Sequence, residues 1–292
     1  MGFLANIRTV LEMVKFEHSL FALPFALTGA LLAARGSGLS WPELGAKVGW
    51  IILAMVAARS AAMAFNRVAD AEIDLANPRT RTRAIPAGVL SKSFTWGFIA
   101  LWSLVLLAAA WMLNPLCLQL APVALAVVLG YSYTKRFTAF SHLVLGFALG
   151  IAPAAAWIAI RGSLHPAILL LTAAVMCWTA GFDIIYSCQD VEFDRRTGLR
   201  SVPQSLGIAR ALLVARLLHI VMVGMLLALW RLQGLGLLGL AGIAVVAALL
   251  IYEHSLVKAD DLSRVNAAFF TVNGYVSVLF FVFWAADLSA SP

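Results

Sequence analysis

Three oxygen-bearing side chains recur at helical spacing where the second apolar run of the sequence ends. Asn66, Asp70 and Asp74 stand at positions i, i+4 and i+8. A helix places such residues along one stripe, because it completes a turn about every 3.6 residues. Arg59 precedes Asn66 by about two turns and is predicted to lie on the same face. Carboxylate and amide oxygens in this arrangement are typical ligands of Mg²⁺.

A second acidic stretch follows the sixth apolar run. Asp183, Asp190 and Asp194 stand at positions i, i+7 and i+11, which a helix brings to one face. Tyr186 precedes Asp190 by about one turn and is predicted to lie near that face. Half of the 14 acidic residues of the chain lie in these two stretches. Their clustering indicates a functional site rather than two ordinary solvated loops.

The negative charge of the carboxylates on each stripe must be balanced by nearby positive charge. Like charges one turn apart repel each other, and acids close to a membrane span cost more free energy still. We expect divalent cations to supply the compensation, since Mg²⁺ takes a few carboxylates, keeps waters and bridges to substrate phosphates. The predicted metal ligands are Asp70, Asp74, Asp190 and Asp194, with Asn66 assisting.

Basic residues flank both acidic stretches and also follow the fourth apolar run. They are Arg67, Arg79, Arg81, Arg83, Lys135, Arg136, Arg195, Arg196 and Arg200. Lys and Arg bind phosphate oxygens. Acidic and basic residues gathered at the same ends of the predicted helices therefore indicate a diphosphate site. Basic loops are equally typical of the cytoplasmic side of membrane proteins and of contact with anionic lipids. We favour the diphosphate role for Lys135.

Nine apolar runs position these motifs, and each is long enough for a membrane-spanning helix. The runs are 19–34, 44–65, 94–113, 115–133, 143–160, 167–187, 211–230, 235–252 and 267–286. We therefore predict an all-α, polytopic membrane protein with nine transmembrane helices around a central cavity that opens to the cytoplasmic side. We expect residues 1–292 to form a single membrane domain.

The composition supports this fold class. Of the 292 residues, 62% are hydrophobic and 12% are charged, whereas soluble proteins carry about 25% charged residues. A soluble enzyme and a disordered chain are both excluded. The three cysteines form no Cys-x-x-Cys pair, so neither a disulfide framework nor a zinc site is predicted.

The distribution of basic residues predicts the orientation. Of the 21 Lys and Arg residues, all but Arg35, Lys47, Arg161 and Arg231 fall on the side of the N-terminus. The positive-inside rule places that side in the cytoplasm. The net charge of +7 is thus an orientation signal and predicts no nucleic-acid partner. We expect a multi-pass protein of the inner (plasma) membrane, with the N-terminus and active-site loops cytoplasmic.

At these motifs the sequence resembles the UbiA superfamily of intramembrane aromatic prenyltransferases. The resemblance covers essentially the whole chain. It rests on Asn66-Arg67-x-x-Asp70-x-x-x-Asp74, Asp190-x-x-x-Asp194, Tyr131-x-x-x-Lys135, Asn77-Pro78-Arg79-Thr80 and Gly198-x-Arg200-Ser201. Arg67 stands where the family usually has Asp, and Arg200 stands where several members have Lys. The chain is similar to the branch described as 4-hydroxybenzoate polyprenyltransferase-like.

The resemblance implies Mg²⁺-dependent transfer of a polyprenyl group from polyprenyl diphosphate to a small aromatic acceptor in quinone biosynthesis. The expected acceptor is 4-hydroxybenzoate; the alternatives are a futalosine-route menaquinone precursor, dihydroxynaphthoate, homogentisate and haem. The expected partners are these two substrates and the lipid bilayer, with no obligate protein partner. The expected catalytic residues are Asp70, Asp74, Asp190, Asp194, Asp183 and Tyr186, and the expected substrate-binding residues are Arg59, Asn66, Arg67, Arg83, Lys135 and Arg200.

Several roles stay open at this point. Arg59 lies about 10 Å deeper than Asn66, and an Arg inside a span needs a partner. It could bind an acceptor carboxylate or pair with Asp183, which could instead orient a substrate hydroxyl or take up the ring proton. Glu17 and His18 could face the cavity or anchor the first helix at the interface.

A transporter is the rival function, because charged residues within spans also mark ion pathways. Transporters place such residues near mid-membrane on broken helices. Here the charges gather at one face, which disfavours a path through the membrane.

Overall fold

The computed structural model describes residues 21–290, and its regular elements are helices connected by short loops. The helices are α1 (Leu23–Ala34), α2 (Trp41–Ala69), α3 (Ala71–Ala76), α4 (Lys92–Leu113), α5 (Pro115–Thr134), α6 (Ser141–Arg161), α7 (Ile168–Ser187), α8 (Val191–Thr197), α9 (Val202–Leu206), α10 (Ile208–Gln233), α11 (Leu237–Leu256) and α12 (Asn273–Ala290). A 3₁₀ turn, Cys188–Asp190, follows α7, and a π-helical segment, Ala267–Val272, precedes α12.

The prediction of an all-helical membrane protein is confirmed, and the predicted count of nine spans is approximate. Eight described helical segments are long and apolar enough to cross a membrane. The predicted first run, 19–34, corresponds to α1, which has 12 residues, and residues 19 and 20 of that run lie outside the described residues. Glu17 and His18, whose roles were left open, also lie outside that part of the chain.

Local sequence signals set the ends of the spans. Ser91 and Asn114 cap α4 and α5, where their side-chain oxygens accept backbone N–H groups. Gly162 and Gly234 end α6 and α10 in the left-handed conformation that glycine adopts without strain. Backbone groups freed at these ends are thereby satisfied, as a low-dielectric environment requires.

The helices pack most closely where glycine removes the side chain. Gly29 of α1 faces Pro153 of α6, and a Cβ there would lie 2.5 Å from the Pro153 carbonyl oxygen. Gly150 of α6 faces α7, and a Cβ would lie 2.6 Å from the Thr172 carbonyl oxygen. Small residues at such crossings allow helix backbones to approach within membranes. The crossing of α6 and α7 matters for the site, because both helices carry residues of the polar cavity described below.

A buried polar network joins the C-terminal helices to α7. The Asn273 amide donates to Glu253 at 2.7 Å and accepts from the Trp178 indole at 2.7 Å. His219 lies 3.0 Å from His254 and 3.2 Å from the Trp178 carbonyl oxygen. These bonds cross-link α7, α10, α11 and α12 at positions that the apolar pattern alone does not specify.

The close crossing of α6 and α7 predicts that Gly150→Leu lowers the apparent Tm by about 5 °C or more, because the added side chain overpacks a backbone contact. Thermal unfolding of the detergent-purified protein measures this. Gly224→Leu is the matched control, since an added Cβ at Gly224 meets nothing within 4 Å. Equal Tm values for the two variants would contradict the proposed tight crossing.

Candidate active site

A polar cavity of about 270 Å³ lies where several helices end on one side of the bundle. Its walls come from the end of α2, from α3, from the ends of α5 and α7, from the start of α6 and from α8. Most of the residues predicted from the two motifs line it: Asn66, Arg67, Asp70, Asp74, Arg83, Lys135, Asp183, Tyr186, Asp190, Asp194 and Arg200. Arg59 is the exception and lines a different cavity.

The first motif does not form one continuous helix. α2 ends at Ala69, Asp70 lies at the junction, and α3 begins at Ala71. The Asn66 amide donates to Asp70 Oδ2 at 3.1 Å, as a one-turn spacing allows. Asp74 belongs to the separate helix α3 and is buried. The backbone N–H groups of Asp70 and Asp74 still donate to the carbonyl oxygens four residues earlier, and all three side chains face the same cavity, as predicted.

Asp70 is paired with a base from another helix. Its side chain is 3% exposed, and Lys135 Nζ at the end of α5 donates to Oδ2 at 2.6 Å. An Arg136 guanidinium nitrogen lies 3.7 Å from Oδ1, which accepts no hydrogen bond among the described residues. Oδ2 of Asp70 thus accepts hydrogen bonds, while Oδ1 accepts none in the described residues and could bind a ligand.

Asp74 is held by two arginines. Arg83 Nη1 donates to both carboxylate oxygens, at 2.8 and 2.9 Å. Arg67 lies 4.0 Å from Oδ2. Arg67, which stands where the family usually has an acid, therefore supplies positive charge beside the first motif.

The second motif is also interrupted. α7 ends at Ser187, and the 3₁₀ turn carries the chain into α8, which contains Asp194. Asp190 accepts two hydrogen bonds from Arg79, at 3.0 and 2.5 Å, and one from the Asn77 amide at 3.2 Å. Arg79 also donates to the Tyr186 hydroxyl at 3.3 Å. The loop after the first motif is thereby fastened to the second motif.

Burial lowers the pKa of the Arg79 guanidinium, but the hydrogen bond and the negative charge of Asp190 outweigh that effect. The pKa consequently lies above its ordinary value. Arg79 remains fully charged and can exchange Asp190 for another anion, such as a phosphate oxygen.

Asp194 and Arg200 make different contacts from the other motif residues. Asp194 Oδ2 accepts from the Ser201 hydroxyl at 2.8 Å. The Arg200 guanidinium donates to the Phe137 carbonyl oxygen at 2.9 Å, and its backbone N–H donates to the Lys135 carbonyl oxygen at 2.7 Å. Arg200 lines the cavity and also holds the loop that carries Lys135.

These contacts add basic side chains to the metal ions that were expected to balance the charge of the acids. Asp70, Asp74 and Asp190 are each neutralised by a Lys or Arg from the flanking loops. Charge pairing of this kind is effective because the carboxylates are largely withdrawn from water. The basic residues are therefore counter-ions of the acids as well as candidate phosphate ligands.

The donor set nonetheless fits Mg²⁺ shared with a phosphate ligand. No three His, Cys, Asp or Glu side chains of the described residues come close enough to hold one ion by themselves. Mg²⁺ usually takes one or two carboxylates, waters and substrate phosphates rather than an all-protein cage. The unoccupied lone pairs of Asp70 Oδ1 suit this mode of binding.

Arg59 does not pair with Asp183, so that alternative is wrong. The Arg59 side chain lines an adjoining apolar cavity, and its Nε has no hydrogen-bond partner among the described residues. Asp183 Oδ2 instead lies 2.6 Å from His142 Nδ1. The side chains diverge because α2 and α7 present Arg59 and Asp183 to different cavities.

The apolar cavity, of about 230 Å³, lies beside the polar one, between α1, α2, α4, α5 and α6. Met63, Tyr131 and Leu145 line both cavities and mark the boundary. Beyond them the wall is mostly Ala, Leu, Ile and Met. The combined space suits a molecule with a charged head and a long apolar tail.

Sequence reasoning missed His142 and Ser132. His142 stands one residue before the predicted fifth apolar run. The only sequence feature that could have identified it as a site residue is a titratable side chain beside a membrane span. Ser132 accepts from the Asn66 amide at 3.4 Å, and a lone Ser in an apolar run carried no signal.

Removal of Lys135 should expose the cost of an unpaired Asp70. We predict that Lys135→Met in EDTA lowers the free energy of unfolding by about 1 to 3 kcal/mol, because a buried carboxylate loses its direct partner. We further predict that Mg²⁺ restores part of this loss. Thermal unfolding with and without Mg²⁺ measures both effects, and Lys258→Met, at an exposed position, is the control. A loss that Mg²⁺ leaves unchanged would count against metal binding at Asp70.

Comparison with known proteins agrees with this geometry. The chain is 31% identical to the 4-hydroxybenzoate octaprenyltransferase of Aromatoleum aromaticum, over 82% of this chain and 81% of that protein. The apo structure of a UbiA homologue from Aeropyrum pernix K1 matches with a TM-score of 0.83 and 34% identity, covering 93% of this chain and 98% of that one.

A more distant structure shares the fold. The UbiA homologue from Archaeoglobus fulgidus bound to GPP and Mg²⁺ matches with a TM-score of 0.70 at 20% identity, over 97% of this chain and all of that one. The family model for UbiA prenyltransferases matches residues 22–284. With its two acidic motifs meeting at one polar cavity, this chain belongs to the UbiA prenyltransferase family.

Proposed function

We propose that this protein transfers a polyprenyl group from polyprenyl diphosphate to 4-hydroxybenzoate with the help of Mg²⁺. The observation that carries the proposal is that the charged and the apolar cavity lie side by side and share Met63, Tyr131 and Leu145 as lining residues. A diphosphate fits the charged cavity, and its apolar tail fits the adjoining one. The name of the Aromatoleum aromaticum relative supports the acceptor, and the bound molecules of the Archaeoglobus fulgidus homologue support the donor class and the ion.

The polar cavity would bind and activate the diphosphate. Asp70, Asp74, Asp190 and Asp194, assisted by Asn66, would hold Mg²⁺, which neutralises charge on the departing diphosphate. Lys135, Arg79 and Arg83 would bind the remaining phosphate oxygens by exchanging their carboxylate partners. Cleavage of the C–O bond leaves diphosphate in this cavity and positive charge on the allylic carbon.

The boundary between the cavities is where the new bond would form. The reactive carbon lies between the diphosphate and the tail, and therefore near Tyr131, Met63 and Leu145. The Tyr131 ring can stabilise a nearby cation, while the apolar wall excludes water that would hydrolyse it. An electron-rich ring at this boundary can attack the allylic carbon.

Arg59 is the proposed anchor for the acceptor carboxylate. It is partly buried on α2, and its buried Nε has no hydrogen-bond partner among the described residues. The Tyr131 hydroxyl lies within electrostatic range of both Arg59 and Asp183. A small aromatic acid can therefore point its carboxylate toward Arg59 and its hydroxyl end toward the polar cavity. An acceptor without a carboxylate would leave Arg59 unpaired.

The setting of the enzyme is part of the proposal. Residues 1–292 would act as one domain in the plasma membrane, with the polar cavity on the cytoplasmic side. On the opposite side, Arg35 and Arg161 donate to carbonyl oxygens at helix ends, and Lys47 donates to the Ala159 carbonyl oxygen. These bases bind backbone oxygens of loops and helix ends, which supports an enzyme over a transporter.

Loss of either motif should abolish transfer. We predict that Asp70→Asn and Asp190→Asn each lower Mg²⁺-dependent transfer of a labelled prenyl group to 4-hydroxybenzoate by about 100-fold or more, since both weaken diphosphate activation. Membranes containing the protein provide the assay, and Asp260→Asn, at an exposed acid, is the control. Undiminished transfer in both motif variants would refute the metal assignment.

The anchor role of Arg59 predicts a selective change in acceptor binding. Arg59→Met should raise the KM for 4-hydroxybenzoate about 10- to 100-fold, because a charge-assisted hydrogen bond is lost. Release of diphosphate from the donor without acceptor should stay unchanged. A phenol that lacks the carboxylate is the matched control and should be used equally by both proteins. An unchanged KM would instead direct attention to acceptors without a carboxylate.

A further inference from the structure

A His–Asp pair lies in the polar cavity apart from the carboxylates assigned to the diphosphate. His142 Nδ1, at the start of α6, is 2.6 Å from Asp183 Oδ2 on α7. The His142 side chain is 4% exposed, whereas Asp183 is 23% exposed and lines the cavity. Asp183 lies seven residues before Asp190, about 10 Å deeper toward the apolar cavity.

The hydrogen bonds of His142 fix its tautomer. The backbone N–H of Val202 donates to His142 Nε2 at 3.3 Å, so Nε2 is the unprotonated nitrogen. The proton of a neutral imidazole must then lie on Nδ1 and be donated to Asp183. A His held in this way orients the carboxylate that accepts from it. Oδ2 is occupied, and Oδ1 is left for a substrate.

The charge environment of Asp183 differs from that of the other acids. Asp70, Asp74 and Asp190 are paired with Lys or Arg, whereas the partner of Asp183 in the described part of the chain is the His142 imidazole. Asp183 is therefore not held by a Lys or Arg side chain, and it lines the cavity where the acceptor would bind.

We propose that Asp183, positioned by His142, is the base that removes the ring proton of the acceptor. This inference rests on the proposed function. The hydroxyl of 4-hydroxybenzoate directs attack to the ring carbon beside it, because the opposite position carries the carboxylate. Once the allylic carbon is bonded there, that ring carbon carries both the prenyl group and a hydrogen.

The proton step balances without a further reactant. The C–H bond breaks, its electron pair restores the aromatic ring, and the proton passes to Asp183 Oδ1. Asp183 becomes a carboxylic acid and then releases the proton to the open polar cavity. His142 keeps its Nδ1 proton and acts only through its hydrogen bond, so it is a positioning residue, while Asp183 is a catalytic residue.

Deuterium on the acceptor tests the assignment directly. The purified full chain is given Mg²⁺, geranyl diphosphate and 4-hydroxybenzoate with either hydrogen or deuterium at both positions beside the hydroxyl. Asp183→Asn should lower kcat for transfer about 100-fold or more, as expected for loss of a general base. In His142→Leu the base is misplaced, kcat falls less, and the deuterated acceptor reacts more slowly than the protonated one. His142→Gln, which keeps an N–H donor, should recover most of the rate.

Two measurements separate this role from a structural one. Without acceptor, slow capture of the allylic group by water releases diphosphate from the donor, and this release should be unchanged in His142→Leu, because ionisation precedes the proton step. His165→Leu is the matched control, since the exposed His165 packs on Trp157 away from both cavities. It should behave as the wild type.

The opposite outcomes overturn the inference. A change confined to KM, with no isotope effect in His142→Leu, would make Asp183 a ligand of the acceptor hydroxyl. An equal fall of transfer and diphosphate release would assign the pair to the diphosphate site or to folding. If the wild type releases diphosphate but does not prenylate 4-hydroxybenzoate, the proposed acceptor fails, and the inference fails with it.

Discussion

The structure depends on the pairing of carboxylates at helix ends. Asp70 and Asp74 are buried and Asp190 is partly buried, so that unpaired charge at the two buried positions would cost several kcal/mol. Lys135 comes to Asp70 from the end of α5, and Arg79 crosses from the first motif to Asp190 in the second. These pairs draw the loops over the helix ends and form the walls of the polar cavity. The charges that define the site thus also hold it together.

The same pairs account for how a prenyl diphosphate could be bound. A diphosphate with Mg²⁺ offers anionic oxygens to the bases and a cation to the acids, so each charge can exchange one partner for another without becoming unpaired. Such an exchange costs less than desolvating free ions. It takes place beside an apolar cavity, which receives the tail and keeps water from the reactive carbon. In this proposal the same paired acids and bases of the polar cavity therefore serve both substrate binding and catalysis.

The fold was largely predictable from the sequence, because the lipid environment leaves little choice. An apolar run of about 20 residues must satisfy its own backbone and so becomes a helix. Eight of the nine predicted runs coincide with long helices, to within a few residues. The site was predictable in part, since one-turn spacings such as that of Asn66 and Asp70 survive as contacts. The residues of each stripe face one cavity as predicted, although the helical geometry changes locally at Asp70 and at the turn Cys188–Asp190.

The sequence by itself determined the helical membrane class, the two acidic motifs and the side of the molecule on which they meet. Hydrophobic length and residue spacing are local properties, and they need no knowledge of neighbouring helices. Only the tertiary structure decided which base pairs with which acid, that Asp183 is held by His142 rather than by Arg59, and that the polar and apolar cavities lie side by side and share Tyr131. Those outcomes depend on contacts between residues far apart in the chain, which form only when the helices pack.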